Sequence, residues 1–417
     1  MLVPLNELLF ALSKALDFVE YELLGVTTNH GKRAAYVSAR ICRAMGMSEA
    51  DIFDMACCAV LHDNALTEYM LNSGATDFRK LENFSSHCSI GEKNALVFPY
   101  AGDASGIVLH HHENWDGSGY HGLEHHSIPM RAMVLRLADN MDLLLGLGTP
   151  RPGLEGDIRR HVLELKGSDY CPEAVDALLG ILDANFLRDV SDANIDASLK
   201  REVPVIHVRL STEQMLRICS LVAFIIDAKS HFTKEHSTGV AEKATRLADY
   251  YGIKGEHRNK LMIASYLHDV GKLAIPLHIL EKPGQLTDKE FNIMRRHALM
   301  TENILTEVSG LEEITLWSSA HHEKINGLGY PHGSFDLPFE CQLVSCCDIY
   351  QALTEDRPYR GGMDHEQAME IMEEMVERDE LDGDIVATIK EKLGDAEEEI
   401  QASPETDFTA VNPKLCA

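Results

Sequence analysis

The sequence predicts an all-α protein made of two tandem helical bundle domains. Three observations predict this fold class: helical hydrophobic periodicity along most of the chain, very few strand patterns, and an internal repeat with a period of about 206–210 residues. A chain of 417 residues is long enough for two domains that each bury a core.

Helical periodicity is clearest in the segment 287-TDKEFNIMRRHALMTENILTEV-308, where apolar residues recur every three or four positions. Thr287 and Glu290 predict a capping box at its start. The opening 25 residues also read as an amphipathic helix. The one convincing strand candidate is 203-VPVIHVRL-210, which predicts at most a short strand pair at the seam between the domains.

The internal repeat is defined by histidines and aspartates at matched spacings. His30 and His62 are 32 residues apart, and His236 and His268 are also 32 apart; in each half an aspartate follows the second histidine. The first-half set is His30, His62, Asp63, His87, His111, His112 and Asp139; the second-half set is His236, His268, Asp269, His297, His321, His322 and Asp348. Seven matched positions predict that each set converges on one site.

The repeat also predicts the domain boundaries. We expect a first domain at residues 1–200, a second domain at 201–395, and an acidic, poorly ordered tail at 396–417. Because each domain carries one copy of the repeat, we expect the two to pack as an intramolecular pseudo-dimer. A homodimer of the whole chain is a further expectation.

Charge and composition exclude several classes of partner. The formal net charge of −28 argues against a broad grip on DNA or anionic lipid, although a metal site can reverse the potential locally for a small anion. The opening segment lacks a basic n-region, and the apolar runs are far shorter than the roughly 18 residues that span a bilayer. Ten scattered cysteines without a CxxC motif predict reduced thiols. We therefore expect a cytoplasmic protein without a membrane segment.

The second-half set has the donor types of a metal centre. Five imidazoles and two carboxylates are too many for one tetrahedral zinc ion and suit two octahedral ions that share a carboxylate. Adjacent helical residues point about 100° apart, so Asp269 is the predicted bridge beside His268. Two ions roughly 3.5–4 Å apart can activate a hydroxide and clamp a phosphoester. Nitrogen and oxygen donors without a thiolate favour Fe or Mn over Zn, Mg or Ni.

Lys272 follows three residues after Asp269, in 268-HDVGK-272. On a helix this spacing places the two side chains on one face, so the ammonium group could stabilise charge that develops on a bound phosphate. Gly271 leaves room for a close approach of the backbone. The alternative is a solvated surface lysine, which the neighbouring metal ligands disfavour.

The order of these motifs, H…HDVGK…H…HHExxxGxGYP…D, ending in 348-DIYQALTEDRPYR-360, resembles the HD-GYP family, a branch of the HD-domain metal-dependent phosphohydrolases. The likeness covers residues 211–395. It implies a phosphodiesterase that cuts a cyclic dinucleotide, either cyclic di-GMP or 3',3'-cyclic GMP-AMP, to a linear dinucleotide by in-line attack of an activated hydroxide. It implies metal roles for the second-half set, catalytic roles for Asp269 and Lys272, and substrate contacts by Gly329, Tyr330, Pro331, Arg357 and Arg360.

One position departs from part of the family. Some members hold a third metal through a glutamate four residues before the first histidine, where this sequence has Phe232. The sequence therefore predicts two divalent ions in the active site.

The first half keeps its ligand set and loses the residues around it. Leu66 stands at the lysine position, His121 at the proline of Gly-Tyr-Pro and Gly148 at the first arginine, although Arg151 matches the second arginine. This pattern leaves four interpretations open: a structural metal site, a regulatory nucleotide pocket, a different hydrolytic activity such as trimming of the linear product, or an inherited metal-free bundle.

Two rival functions remain for the whole chain. One is a catalytically inactive scaffold that responds to nucleotides, and the other is an HD phosphohydrolase acting on nucleoside monophosphates or alarmone nucleotides. The complete ligand set with Lys272 favours an enzyme. The Gly-Tyr-Pro loop favours a cyclic substrate, because other HD enzymes share only the metal ligands.

Overall fold

The computed structural model describes residues 4–24, 28–66, 85–206, 210–229, 236–356 and 361–394. These residues form helices joined by turns and contain no sheet; the only strand-like pairings among them are two isolated bridges, at Asp116 with Glu124 and at Lys166 with Tyr170. The predicted all-α fold class is confirmed.

The described part of the first half contains nine α-helices. They are α1 (Leu5–Leu24), α2 (His30–Ala44), α3 (Glu49–Leu61), α4 (Ser85–Ala95), α5 (Met130–Leu145), α6 (Leu154–Glu164), α7 (Pro172–Ile181), α8 (Ala184–Asp189) and α9 (Ile195–Glu202). Helix α2 is central to this half and packs against α3, α5, α7 and α9.

The described part of the second half begins with α10 (Thr212–Asp227), α11 (His236–Tyr250) and α12 (Gly255–Leu267), followed by a 3-10 helix (Val270–Ala274). It continues with α13 (Leu277–Leu280), α14 (Asp288–Met294), α15 (Arg296–Leu305), α16 (Glu312–Ser319), α17 (Phe339–Thr354), α18 (His365–Glu377) and α19 (Gly383–Lys392). Helices α11, α12 and α17 correspond to α2, α3 and α5, so the sequence repeat is also a structural repeat.

Local sequence signals explain several helix boundaries. The capping box predicted for Thr287 and Glu290 is confirmed, and Ser211 with Gln214 forms a second one at the start of α10. The prediction of one continuous helix over 287–308 is partly wrong, because the chain forms two helices there, α14 and α15, which meet at Arg295. The break places His297 in the first turn of α15.

The seam between the halves is an extended segment. Residues 203–206 and residue 210 follow α9 without strand pairing, and residues 207–209 lie outside the described residues. The Asn6 side chain donates from Nδ2 to the Pro204 carbonyl oxygen at 2.7 Å. The predicted strand pair is therefore absent from the described part of the seam.

The first helix contacts both halves of the molecule. It packs against α2 and α3 and also against the 3-10 helix and α15 of the second half. Leu12 and Leu16 line an apolar pocket together with Leu273 and Leu61. The Glu7 carboxylate accepts a hydrogen bond from the Ser309 backbone nitrogen at 2.7 Å.

The apolar core runs through both halves as one continuous cluster. Nine cysteines lie in the described residues, and all nine are buried free thiols, as the sequence predicted. Among the described helices, none combines the length and the apolar character needed to cross a bilayer.

Candidate metal centre

The second-half set converges in a buried cluster that divides into two groups of donors. In the first group the Asp348 Oδ1 atom lies 3.0 Å from His236 Nε2 and 3.7 Å from His268 Nε2. His236 is the first residue of α11, His268 directly follows α12, and Asp348 lies within α17. Three helices therefore supply one potential ligand each.

The second group consists of three histidines. His297 in α15 has its Nε2 atom 3.3 Å from His321 Nε2, and His322 belongs to the same group, with donor atoms within 4.8 Å of one another. His321 and His322 lie just after α16, separated from its end by Ala320. The chain has left the helix at this point, so two consecutive imidazoles can both belong to the second group.

Asp269 lies between these two groups and faces each with a different oxygen atom. Its Oδ2 atom is 3.2 Å from His268 Nε2 and 3.8 Å from His236 Nε2. Its Oδ1 atom is 3.5 Å from His297 Nε2 and 3.8 Å from His321 Nε2. Two ligands held about 2.1 Å from one octahedral ion lie roughly 3 Å apart, so these distances suit one ion on each side of the carboxylate.

Three of the imidazoles are oriented by a backbone carbonyl three residues earlier. The Nδ1 atoms of His268, His297 and His321 donate to the carbonyl oxygens of Ser265, Met294 and Ser318 at 2.7, 2.7 and 2.5 Å. A carbonyl oxygen only accepts, so Nδ1 carries a proton in each ring and, when the ring is neutral, the Nε2 lone pair is directed into the cluster. This is the tautomer that a metal ligand requires.

His236 is oriented by a carboxylate that sequence reasoning missed. Its Nδ1 atom lies 2.9 Å from Glu355 Oε2, while its Nε2 atom faces Asp348. Glu355 caps the end of α17, seven residues after Asp348 and on the same side of that helix. The i+7 helical spacing is the sequence signal that could have identified it.

The charge distribution differs between the two groups. Burial lowers the pKa of His236 and of His268, but the facing carboxylates outweigh it and raise these values to about 9 and about 10. Burial lowers the pKa of His297 to about 4 and that of His322 to about 3. A cation at the first group would therefore displace protons, whereas the second group already offers neutral imidazoles.

Lys272 lies on the 3-10 helix and contacts the Asp269 carboxylate through its Nζ atom. Burial lowers the pKa of the lysine, but Asp269 more than compensates and raises it, so the ammonium stays charged. The His-Asp pair sits at a helix junction rather than inside a helix, and residues i and i+3 eclipse each other on a 3-10 helix. Lys272 therefore lies on the same side as Asp269, as the spacing predicts, but on a 3-10 helix and not on the α-helix that the prediction assumed.

Gly271 allows this junction to pack directly on α15. A Cβ atom there would lie 2.7 Å from the Thr301 backbone nitrogen and would also overlap the His297 carbonyl oxygen. The Gly271 nitrogen donates to Thr301 Oγ1 at 3.0 Å, and Thr301 Oγ1 donates to the His268 carbonyl at 2.9 Å. The absent side chain of Gly271 therefore serves the packing of this junction on α15, whereas the expected room for a phosphate near Lys272 stays a prediction.

The Gly-Tyr-Pro loop forms one wall beside the second group. The Tyr330 ring lies 4.7 Å from the His322 ring, and the Arg295 guanidinium lies 4.8 Å from the centre of the Tyr330 ring. A Cβ at Gly329 would lie 2.5 Å from the Glu323 Cα atom, so the loop folds back closely on the His-His-Glu segment before it reaches Pro331. Arg295 is a cation at this wall that the sequence analysis did not single out.

Glu323, the glutamate of His-His-Glu, holds this loop rather than facing the cluster. Its carboxylate accepts hydrogen bonds from the backbone nitrogens of His332, Gly333 and Ser334 at 2.6, 3.1 and 3.0 Å. The buried charge is thus satisfied by three backbone donors.

Four sequence predictions concern residues that are not described. Arg357, Arg360, Phe232 and the tail at 396–417 all lie outside the described residues. Asp227, a buried carboxylate at the end of α10, accepts hydrogen bonds from the Ser237 nitrogen and hydroxyl at 3.0 and 2.8 Å and so stabilises the start of α11.

The first-half set also converges, with a similar arrangement. His30 Nε2 lies 3.2 Å from Asp139 Oδ1, and His62 Nε2 lies 3.8 Å from the same atom. Asp63 faces both sides, with Oδ2 3.4 Å from His62 Nε2 and Oδ1 3.8 Å from His87 Nε2. The remaining two histidines, His111 and His112, lie beside His87.

The described residues around the first-half cluster differ from those around the second-half cluster. Leu66, at the lysine position, is fully buried. A Cβ at Gly148, the first arginine position, would lie 2.9 Å from Arg33 Nη1, whose guanidinium pairs with Asp142 and Asp192. Arg151 pairs with Asp157 at the surface. His121 donates its backbone nitrogen to Glu113, so the loop is held as in the second half.

Buried donor atoms without well-aligned hydrogen bonds are a second indication that both sets suit metal ions. His268 Nε2 and Asp269 Oδ1 in the second half, and His62 Nε2 and Asp139 Oδ1 in the first, are buried atoms that make no well-aligned hydrogen bond, although each lies near an oppositely charged group of its own cluster. Buried polar atoms without a well-aligned hydrogen bond are costly, and a cation bound in each cluster would satisfy the atoms of that cluster. Mixed imidazole and carboxylate donors suit divalent transition metals.

Comparison with known proteins agrees with this architecture. The HD domain family model matches residues 21–156 and 220–385, which together exceed half of the chain. A 3'3'-cGAMP-specific phosphodiesterase of Vibrio cholerae is 29% identical over 406 residues, covering 93% of this chain and 91% of the relative. A cyclic di-GMP phosphodiesterase of Pseudomonas aeruginosa is 33% identical over 152 residues, 36% of this chain and 37% of the relative.

A crystal structure of a cyclic GMP-AMP-specific phosphodiesterase of V. cholerae superimposes with a TM-score of 0.67 at 22% identity. The match covers 94% of this chain and 98% of that one. The two molecules share a fold through both halves.

Proposed function

Because the chain belongs to the HD domain family, we propose that its second half is a metal-dependent phosphodiesterase that opens a cyclic dinucleotide to a linear one. The observation that carries this proposal is the position of Asp269, with one oxygen toward each of two imidazole groups. A carboxylate in that position suits two cations that share it.

The second-half set of seven residues would hold two divalent ions, with Fe or Mn favoured by the nitrogen and oxygen donors and Zn, Mg or Ni less so. Such ions supply Lewis acidity and an activated water molecule next to a phosphodiester. Asp269 would be a ligand shared by both ions, and Glu355 keeps the His236 ring oriented toward the ligand cluster.

Lys272 supports the reaction by its charge. Its ammonium lies against Asp269 at the edge of the ligand cluster and is held positive, so it stabilises the charge that develops on the phosphoryl oxygens. Tyr330 and Arg295 form a wall on which a nucleobase or a phosphate can rest. Arg357 and Arg360 are proposed as further substrate contacts, because a guanidinium binds phosphate or a guanine edge in a bidentate manner.

The substrate we favour is 3',3'-cyclic GMP-AMP. The relative that carries this specificity in its name aligns through both halves, whereas the cyclic di-GMP phosphodiesterase of P. aeruginosa aligns with about a third of the chain. Cyclic di-GMP is the second candidate. The two substrates differ in one base, so the choice rests on contacts to the base edges.

The first half is proposed to pack on the second as an intramolecular pseudo-dimer, with the division near residue 200. The shared apolar core and the contacts of α1 with both halves support this arrangement. We place the reaction in the cytoplasm, where cyclic dinucleotide messengers are made and degraded.

The test is a panel of cyclic dinucleotides incubated with iron-loaded or manganese-loaded protein, with products identified by mass. We expect a linear dinucleotide, with cyclic GMP-AMP consumed faster than cyclic di-GMP, and no product from Asp269→Ala. Product no greater than in that control would overturn the enzyme proposal in favour of a nucleotide-binding scaffold.

A further inference from the structure

Among the described residues, the first-half histidine cluster contains a thiol and the second-half cluster does not. Cys88 follows His87 in α4 and is fully buried. Its Sγ atom lies 3.5 Å from His87 Nε2. The matching residue in the second half, one position after His297, is Ala298. Both clusters therefore contain imidazoles at matching positions, whereas a sulfur donor belongs to the first-half cluster and the second half has Ala298 at that position.

The thiol belongs to a compact set of four donors. His87, Cys88, His111 and His112 each offer one ligand atom, and these atoms lie within 4.8 Å of one another. Two ligands held about 2.0–2.3 Å from a tetrahedral zinc ion lie roughly 3.5 Å apart, which is the separation of the His87 and Cys88 donor atoms.

His111 provides an independent indication of a ligand. Its Nδ1 atom donates to the Val108 carbonyl oxygen at 2.5 Å, which leaves the Nε2 lone pair for another partner. That Nε2 atom is fully buried and makes no hydrogen bond. A buried acceptor aimed at a thiol and two further imidazoles is best satisfied by a cation.

We propose that the first half binds a zinc ion in a closed tetrahedral site formed by His87, Cys88, His111 and His112. Binding would release the thiol proton and place a thiolate on the metal. A thiolate shifts the preference toward zinc and away from manganese or magnesium, which the second-half donors accept.

Four protein ligands on a tetrahedral ion leave no position for a water molecule. Among the described residues, the Asp63 carboxylate is a further donor close to this set: its Oδ1 atom is 3.8 Å from His87 Nε2 and 4.0 Å from His111 Nε2, and its Oδ2 atom is 3.4 Å from His62 Nε2. The first half would therefore be held by its metal and would not hydrolyse phosphoesters. Burial of Leu66 where the second half has its lysine agrees with this role.

The experiment counts zinc in the full chain with the second site disabled by Asp269→Ala. We expect about one zinc ion per chain, and we expect Cys88→Ala in the same background to weaken zinc binding on the order of 100-fold or more. Cys42→Ala, which removes another buried thiol of the same half, is the matched control and should leave the affinity unchanged. Zinc is measured by mass spectrometry and affinity by chelator competition.

Cobalt substitution tests the sulfur ligand directly, without any activity readout. The cobalt-loaded chain should show thiolate-to-cobalt charge-transfer absorption, which Cys88→Ala removes and Cys42→Ala retains. Absence of that absorption in the parent chain, or zinc affinity that is equal with and without Cys88, would overturn the proposal. Because the C-terminal reaction is not measured, failure here leaves the proposed phosphodiesterase to be judged by its own test.

Discussion

Gly271→Ala should damage the metal centre although no ligand is changed. The added Cβ would lie 2.7 Å from the Thr301 backbone nitrogen and would also overlap the His297 carbonyl oxygen. Both neighbours are backbone atoms of α15, and the overlap with the His297 oxygen is the more severe, so the helix must retreat by about 1 Å or more to restore ordinary contacts, at a cost of about 3 kcal/mol. His297 moves with it.

The retreat would lengthen the 3.5 Å separation between His297 Nε2 and Asp269 Oδ1, so we expect metal affinity to fall about 10–100-fold. Thermal unfolding, metal content and product formation are measured together. Gly180→Ala is the control, since a Cβ at that helical glycine meets nothing within 4 Å. A Gly271→Ala protein with unchanged melting temperature and metal content would refute the packing argument.

The first half suggests a compensating change. At the positions of Gly271 and Thr301 it has Ala65 and Gly91, so an alanine is accommodated where the facing helix carries a glycine. Adding Thr301→Gly to Gly271→Ala should therefore recover part of the lost stability, with a coupling of about 1 kcal/mol. Strictly additive losses would show that the two positions are independent.

Three further outcomes are expected. Lys272→Met should lower kcat about 10²–10³-fold without loss of metal, because it removes charge stabilisation and no ligand; Lys260→Met, at a surface ion pair, should not change kcat. Glu355→Gln should weaken metal binding about 10–100-fold in chelator competition, whereas Glu340→Gln, at a surface pair with a histidine, should have no effect. Asp348→Ala should release one ion per chain and keep the other; loss of both, measured by elemental analysis, would contradict two separate donor groups.

The clustering of the histidines was predictable because the same spacings occur twice. A matched set of seven positions is strong evidence for a shared geometry even when each histidine alone is weak evidence. The helices were predictable from periodicity and capping, and the main error, a continuous helix over 287–308, arose because periodicity does not reveal a kink at Arg295.

The partners that orient the ligands were harder to predict because the two halves use different residues. His236 Nδ1 is held by Glu355, seven positions after Asp348, whereas His30 Nδ1 is held by Asp142, three positions after Asp139. Neither carboxylate is visible in the spacings that the halves share, because the two halves place it at different positions along the corresponding helix.

Cys88 was missed for the same reason. A donor that exists in one half only does not appear among the spacings that the halves share, and the residue before Cys88, His87, is itself a predicted ligand. Distance, rather than spacing, brings the sulfur into the cluster.

The contact of α1 with the 3-10 helix has a consequence for how the molecule can be divided. Leu12 and Leu16, near the start of the chain, pack in the same pocket as Leu273, the residue next to Lys272. A fragment that begins at the seam would lose this cover and expose apolar surface beside its own lysine. The second half is therefore not an independent folding unit in this structure, because part of the apolar cover next to Lys272 comes from the first helix of the chain.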